Sequence, residues 1–264
     1  MIGNDIRVTL GKAEILHGLD FQARPGQVTA IVGPNGSGKS TLIKALTGEL
    51  AATGSMLLNN RPIDTLRPWE LASTRAVQSQ STTVAFPFTV IEVVRLGHSA
   101  GPWAAEPGIP EAALARLGLD GYAGRYYHEL SGGEQQRTQL ARVLSQVWHP
   151  VFDGQPAWVF LDEPVSSLDI GHQFVVMDLL AGYARAGGGV ITVMHDLNLT
   201  AIYADHVVLM KDGAVLARGT PSEVLTDATL SRAYDHPLRV NQPAPHGVPY
   251  ILPQACRAAA GGAG

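Results

Sequence analysis

The sequence predicts an α/β fold, a body of alternating strands and helices with a helical lobe inserted into it. Three observations carry that prediction. Val28 to Val32 is a run of β-prone and apolar residues; after it come a glycine-rich loop and then Leu42, Ile43, Leu46 and Leu50, which fall on one face of a helix. A second apolar run, Val159-Phe160-Leu161, ends on the carboxylates Asp162 and Glu163. Between the two, from about residue 84 to 150, helical patterns replace strand patterns.

In chain order, Ile6 to Leu10 alternates as a short strand, and Ile15 to Gln22 follows as a second, ahead of a turn at Arg24-Pro25-Gly26. Gly54 to Asn59 reads as a strand turning at Asn59-Asn60, Trp69 to Ser73 as a short helix, and Arg75 to Gln80 as strand again. In the lobe, helices are expected at 89–97, 111–117 and 134–147, with Pro102, Pro107 and Pro110 separating the first two. The body resumes with the strand Trp158 to Asp162. A helix from about 171 to 186 is ended by Gly187-Gly188-Gly189, and Val190 to Met194 is a buried strand by composition. Val207 to Met210 and Ala214 to Ala217 flank Lys211-Asp212-Gly213, a hairpin signal. Thr220-Pro221 opens a short helix with proline at its first position. The tail 241–264 is rich in Pro, Ala and Gly, and its last nine residues are expected to be disordered. No internal repeat is visible, so a machine with two such sites needs two chains.

The bulk numbers narrow the classes. The 264 residues suffice for one large domain or two lobes, and an apolar share of 45 % marks a globular chain. A net charge of −4 and a pI near 6.1 leave no basic surplus, which argues against nucleic acid as the partner. Cys256 is the only cysteine, so no internal disulfide is possible and a reducing compartment is expected. Met1 to Asp5 does not begin a secretory signal, and no stretch approaches the roughly 18 apolar residues of a membrane span. The chain is expected to be soluble by itself, which is compatible with docking on a membrane partner.

Gly33, Pro34, Asn35, Gly36, Ser37, Gly38, Lys39, Ser40 and Thr41 carry the pattern G-x-x-x-x-G-K-[ST] of a phosphate-binding loop. Glycines let successive N–H groups curl around β- and γ-phosphates, and the helix N-terminus adds partial positive charge. Lys39 supplies a full charge, and the Ser40 hydroxyl can ligate Mg²⁺. A plain glycine-rich turn is outweighed by the strand before the loop and the helix after it. Asp162 and Glu163 end a strand, where an open α/β sheet has its ligand crevice. One carboxylate can hold the Mg²⁺ shell while its neighbour polarises an attacking water. In Leu130-Ser131-Gly132-Gly133-Glu134, Ser131 and Glu134 form a capping box for the helix 134–147. Capping does not require the two glycines, which weaken a first turn but let a phosphate approach the backbone.

The order of these segments, with Ser167-Leu-Asp169 and His195-Asp196 after them, resembles the nucleotide-binding subunit of ATP-binding-cassette (ABC) transporters over about residues 5–235. The resemblance implies a P-loop (RecA-like) ATPase core with an N-terminal antiparallel β subdomain and an inserted α-helical subdomain, together spanning 1–240. It also implies roles. Lys39 and Ser40 bind phosphate and Mg²⁺. Gln80, with Gln78 as competitor, contacts Mg²⁺ and water, Asp162 joins the Mg²⁺ shell, and Glu163 is the catalytic base. Asp169 links two active sites, His195 contacts the γ-phosphate, and Ser131, Gly132, Gly133 and Glu134 close over ATP bound to the opposite protomer. One position departs from the family: Leu10 stands where an aromatic often stacks on adenine.

Within the family, Leu168-Asp-Ile-Gly-His-Gln173 and His195-Asp-Leu-Asn-Leu199 look like importers of iron chelates, haem and cobalamin, and Arg142 to Trp158 looks most like haemin-importer ATPases. The implied partners are a second copy in a homodimer, a two-copy membrane permease and a periplasmic or lipid-anchored substrate-binding protein. The implied place is the cytoplasmic face of the inner membrane. Phe86-Pro87-Phe88 lies where such transporters receive a short permease helix. The rival readings are a soluble cassette acting on nucleic acid, which predicts tandem cassettes or a long coiled-coil insert and a basic face, and a simple P-loop kinase or GTPase, which leaves the signature segment unexplained.

Overall fold

The computed structural model describes residues 1–79, 86–243, 247–249, 251 and 253. From the N-terminus, β1 (Ile2–Leu10) and β2 (Ala13–Gln22) pair antiparallel, their alternation burying Ile6, Val8, Leu16, Leu19 and Phe21. β1 starts four residues earlier than its alternation predicts, because Ile2 to Asn4 ladder onto β4. After β3 (Val28–Val32) comes α1 (Lys39–Leu46), which buries Leu42, Ile43 and Leu46. The helix stops there and the chain turns through Gly48, so Leu50 packs on the core from outside the helix, against the sequence expectation. β4 (Thr53–Leu58), β5 (Arg61–Pro62), α2 (Pro68–Thr74) and β6 (Arg75–Gln78) follow. β6 ends at Gln78, and Gln80 lies outside the described residues.

The inserted lobe holds α3 (Val90–Ala100), α4 (Ile109–Arg116) and α5 (Gly132–Gln146). Its helices bury Val90, Val93, Val94, Ala113, Leu114, Leu140 and Leu144 together. The lobe is tied to the body by Gln146, whose Nε2 donates to the carbonyls of Ala72 (2.8 Å) and Arg75 (3.0 Å). Between lobe and body the chain forms a small hairpin, β7 (Val151–Phe152) with β8 (Gln155–Pro156), turning at Asp153-Gly154. Then come β9 (Trp158–Asp162), α6 (Ile170–Arg185), β10 (Gly189–Val193), α7 (Leu197–Tyr203), β11 (His206–Lys211), β12 (Ala214–Gly219), α8 (Pro221–Val224) and α9 (Asp227–Tyr234).

Among the described residues the strands form an antiparallel sheet of order β2-β1-β4-β5 and a larger sheet of order β12-β11-β3-β10-β9-β6. In the larger sheet all neighbours run parallel except β12 on β11. Its central strands β3, β9 and β10 are buried at every position, which is why they read as continuous apolar runs. Val28, Ala30, Val159 and Leu161 face α5 and α6, whereas Ile31, Phe160, Ile191 and Val208 face α1 and the antiparallel sheet. Trp158 lies fully buried, with its Nε1 donating to Asn59 Oδ1 at 2.8 Å, and so joins the two sheets. The parallel strands β3, β9 and β10 all present their C-terminal ends to one edge, where the phosphate loop, Asp162-Glu163 and His195 follow them. The expected disorder of the last nine residues falls outside the described residues, as does Cys256.

Candidate active site

The phosphate loop leaves β3 at Gly33, whose φ of 146° and a backbone carbonyl of Met210 only 2.2 Å from any added Cβ exclude other residues. Gly38, left-handed at φ 96°, starts α1 with its free N–H groups toward the loop. Lys39 is buried, and its Nζ donates to the carbonyls of Gly33 and Pro34 at 2.9 Å each. Burial holds its pKa below the usual lysine value, against the opposing pull of Glu163 and Asp162. A lysine held this way carries its charge at the mouth of the loop without a committed carboxylate partner.

Asp162 ends β9 and is only 3 % exposed. Burial pushes its carboxyl up, while a hydrogen bond with the Ser40 hydroxyl and the charges of Lys44 and Lys39 pull it down; Glu163 adds to the rise. Its Oδ1 is buried with no hydrogen-bond partner, an arrangement that leaves an oxygen ligand free. With the Ser40 hydroxyl beside it, this is a hard oxygen donor pair that suits Mg²⁺, which takes few protein ligands and completes its shell with phosphate and water. Among the described residues no group of three or more His, Cys, Asp or Glu could hold a metal by itself, so an ion here would depend on the phosphates.

Glu163 adopts a left-handed φ of 56°, a conformation costing about 1–3 kcal/mol in a non-glycine residue. Surrounding bonds hold it there. His195 Nε2 donates to Glu163 Oε1 at 2.5 Å, and Gln136 Nε2 donates to the Glu163 carbonyl at 2.7 Å. His195 follows β10 and keeps a half-exposed ring, so the pair faces the crevice. Gln78, at the end of β6 opposite Leu161, is buried with its Oε1 unpaired.

At the start of α5, the predicted capping box is present. The Ser131 N–H and Oγ donate to Glu134 Oε2 (2.7 and 2.8 Å), and the Glu134 N–H returns to Ser131 Oγ at 3.4 Å. These bonds hold the Glu134 carboxyl below its usual range. The two glycines differ. A Cβ on Gly132 would meet nothing within 4 Å, whereas one on Gly133 would lie 3.2 Å from the Ser167 carbonyl. Gly132 leaves space for a ligand; Gly133 also serves packing within the chain. Asp169 N-caps α6, its Oδ1 accepting from the His172 N–H at 2.9 Å while the His172 ring donates to the same carboxylate. Leu10 is 46 % exposed at the end of β1. Phe86 is 70 % exposed, whereas Phe88 packs against the core, so the aromatic pair is half lip and half anchor.

Thus Lys39, Ser40, Asp162, Glu163 and His195 meet at one sheet edge. Two further residues are drawn to it that sequence reasoning passed over: Gln136, and Tyr234 at the end of α9, whose hydroxyl lies near the Gly33 backbone. Neither carries a local sequence signal.

Fold and site together define a P-loop ATPase. The family model described as ABC transporter matches residues 16–166, and the chain belongs to that family of ATP-hydrolysing cassettes. It is 60 % identical over 257 residues to the hemin import ATP-binding protein HmuV of Jannaschia sp. (strain CCS1), covering 97 % of this chain and 95 % of the relative. It is 53 % identical over 255 residues to the protein of the same description from Mesorhizobium japonicum, covering 95 % and 97 %. An ATP-binding cassette of an ABC transporter, solved in its ADP conformation, superposes with a TM-score of 0.72 at 26 % identity, over 89 % of this chain and 97 % of that one. Among the described residues no helix is long and apolar enough to cross a membrane.

Proposed function

We propose that this chain is the ATPase of a bacterial haem importer, bound to the cytoplasmic face of the inner membrane through a two-copy permease that a substrate-binding protein serves. The observation that carries the cargo is the near-full-length likeness to hemin import ATP-binding proteins. What supports the mechanism is the convergence of Lys39, Ser40, Asp162, Glu163 and His195 at one strand edge.

Two chains sandwich two ATP molecules, each between the phosphate loop of one and Ser131-Gly132-Gly133 of the other, with Asp169 linking the two sites. The phosphate-loop N–H groups and Lys39 hold the β- and γ-phosphates. Ser40 and Asp162 would hold Mg²⁺, with Gln80 as a further expected contact, and the ion would supply positive charge against the phosphate oxygens. Glu163 orients a water and accepts its proton as the water oxygen bonds to the γ-phosphorus and the bond to the β-γ bridging oxygen breaks, releasing ADP and phosphate. His195, bonded to Glu163, fixes the carboxylate and faces the γ-phosphate. Phe86, exposed on the helical lobe, supplies an apolar contact for the permease.

The test is reconstitution of the chain with its neighbouring permease and binding protein in proteoliposomes. ATP-dependent uptake of haem, with little uptake of ferric siderophore or cobalamin, is the expected result. Uptake of a ferric chelate in preference to haem would replace the cargo, and uptake independent of this chain's ATPase would remove the role itself.

A further inference from the structure

Gln136 lies in the second turn of α5, and its side-chain hydrogen bonds go neither to the phosphate loop nor to the capping box. Its side-chain amide is instead used at both ends on one loop of the body. Nε2 donates to the Glu163 carbonyl at 2.7 Å, and Oε1 accepts from the Ser167 N–H at 3.0 Å. The neighbouring Gln135 points elsewhere, donating to the carbonyls of Tyr127 and Leu130 within the lobe. The other donors to the Glu163 carbonyl are local and longer: Ser166 N at 3.4 Å and Ser166 Oγ at 3.2 Å. A second contact lies one turn back, where Gly133 packs against the Ser167 carbonyl so closely that a methyl group would meet it at 3.2 Å.

We infer that Gln136 is a positioning residue for hydrolysis, coupling the signature end of α5 to the carboxylate of Glu163 in the same chain. Three facts join in this. Glu163 sits at a left-handed φ of 56°, which persists only where neighbours over-determine it, and the amide of Gln136 holds the very peptide plane that this φ orients. Ser131 to Gln136 belong to one capped helix start, so a displacement at the glycines is carried to Gln136 almost rigidly. The loop that Gln136 closes, 163–167, leads directly into Asp169, the N-cap of α6. When Ser131-Gly132-Gly133 engage the nucleotide of the opposite chain, Gln136 sets the Glu163 carboxylate of its own chain. The two sites are thereby coupled through a bond inside each chain.

The inference rests on the reading of Glu163 as the base, and the experiment separates the two. Gln136→Met keeps the shape and removes both bonds; Gln136→Glu keeps the acceptor for Ser167 and removes the donor to Glu163. Both are expected to lower kcat about tenfold or more, as misplacement of a reacting group does. KM for ATP and the melting temperature stay near wild type, and the Hill coefficient for ATP falls toward one. In single-turnover assays, Gln136→Met added to Glu163→Gln is expected to cost nothing further, because both act through one carboxylate. Wild-type kcat and cooperativity in both Gln136 variants, or a full additional loss in the Glu163→Gln background, overturns the inference. So does a fall in melting temperature that parallels the loss of rate in both variants, which would make Gln136 a packing residue. Rapid hydrolysis by Glu163→Gln alone overturns the underlying reading instead.

Discussion

The end of β9 and the start of α5 both carry residues assigned to the nucleotide, yet they are completed in opposite ways. At α5 the chain closes its own hydrogen bonds: Ser131 and Glu134 bond reciprocally, and the Glu134 carboxyl is held in its charged form. At β9 the chain leaves work undone. Asp162 Oδ1 is buried without a partner, burial pushes that carboxyl up, and Glu163 is held in a left-handed conformation. A segment that must fold unaided satisfies its polar groups, whereas one built to receive a charged ligand keeps capacity open and is stabilised when the ligand arrives. The first is a helix start with its own polar groups satisfied and open space at Gly132, and the second is a strand end that keeps hydrogen-bonding capacity unused.

The sharpest way to test the contrast is Glu163→Gln. It should lower kcat by about 10²–10⁴-fold while ATP still binds, leaving an ATP-stabilised dimer visible by size-exclusion chromatography. A rate close to wild type would strip β9 of its chemical role. Next in size is a pair of changes expected to move stability in opposite directions. Ser131→Ala removes the cap and should cost about 1 kcal/mol, lowering Tm by roughly 2–4 °C. Asp162→Asn removes a buried, partly unsatisfied carboxylate and should raise the Tm of the nucleotide-free chain by a similar amount while Mg²⁺-dependent hydrolysis is lost.

The pH dependence carries the same sign. A carboxyl whose pKa is higher in the folded chain binds its proton more tightly there, so stability falls as pH rises from the ordinary aspartate value through the raised one. Asp162→Asn should lack that fall, and denaturant titrations across the interval would show it. If the substitution lowers Tm instead, the carboxylate is satisfied in the free chain and the contrast collapses.

Smaller still is Gly132→Ala. Its Cβ has open space, so helix propensity should add a few tenths to about 1 kcal/mol of stability, yet hydrolysis should fall because the methyl group occupies the face left for the ligand. Unchanged ATPase with raised Tm would make Gly132 dispensable. The smallest effect concerns the base side of the site. Leu10→Tyr should tighten adenine nucleotides by about 0.5 kcal/mol, near the lower end for an aromatic pair because the position is well exposed. Titration of a fluorescent ATP analogue would read it, and unchanged affinity would place the adenine elsewhere.

How legible each part was in the sequence follows from where its information lies. The bounds of Val28–Val32 and Trp158–Asp162 are legible to the residue, because strands buried on both faces are continuous apolar runs bounded by loops. The hairpin at 151–156 carried an Asp153-Gly154 turn signal, but its two-residue strands were too short to show alternation. The helix α7 spans only seven residues, and its one mark is Asp196, whose carboxylate accepts from the Asn198 and Leu199 N–H groups. Leu50 fitted the helical spacing of α1 but lies beyond a turn, since apolar spacing does not say where a helix ends.

By itself the sequence determined the phosphate loop, the paired carboxylates and the capping box, because each is written in neighbouring residues whose spacing is the chemistry. Only the tertiary structure decided that Asp162 is buried with an open oxygen, that Glu163 is left-handed, and that Gln136 and Tyr234 reach the site. Burial and bonding at these positions are set by groups that pack across the sheet from distant parts of the chain. Glu163 is held by His195 from the end of β10 and by Gln136 from the helical lobe, 32 and 27 residues away in opposite directions along the chain. No local pattern records which of those atoms will meet.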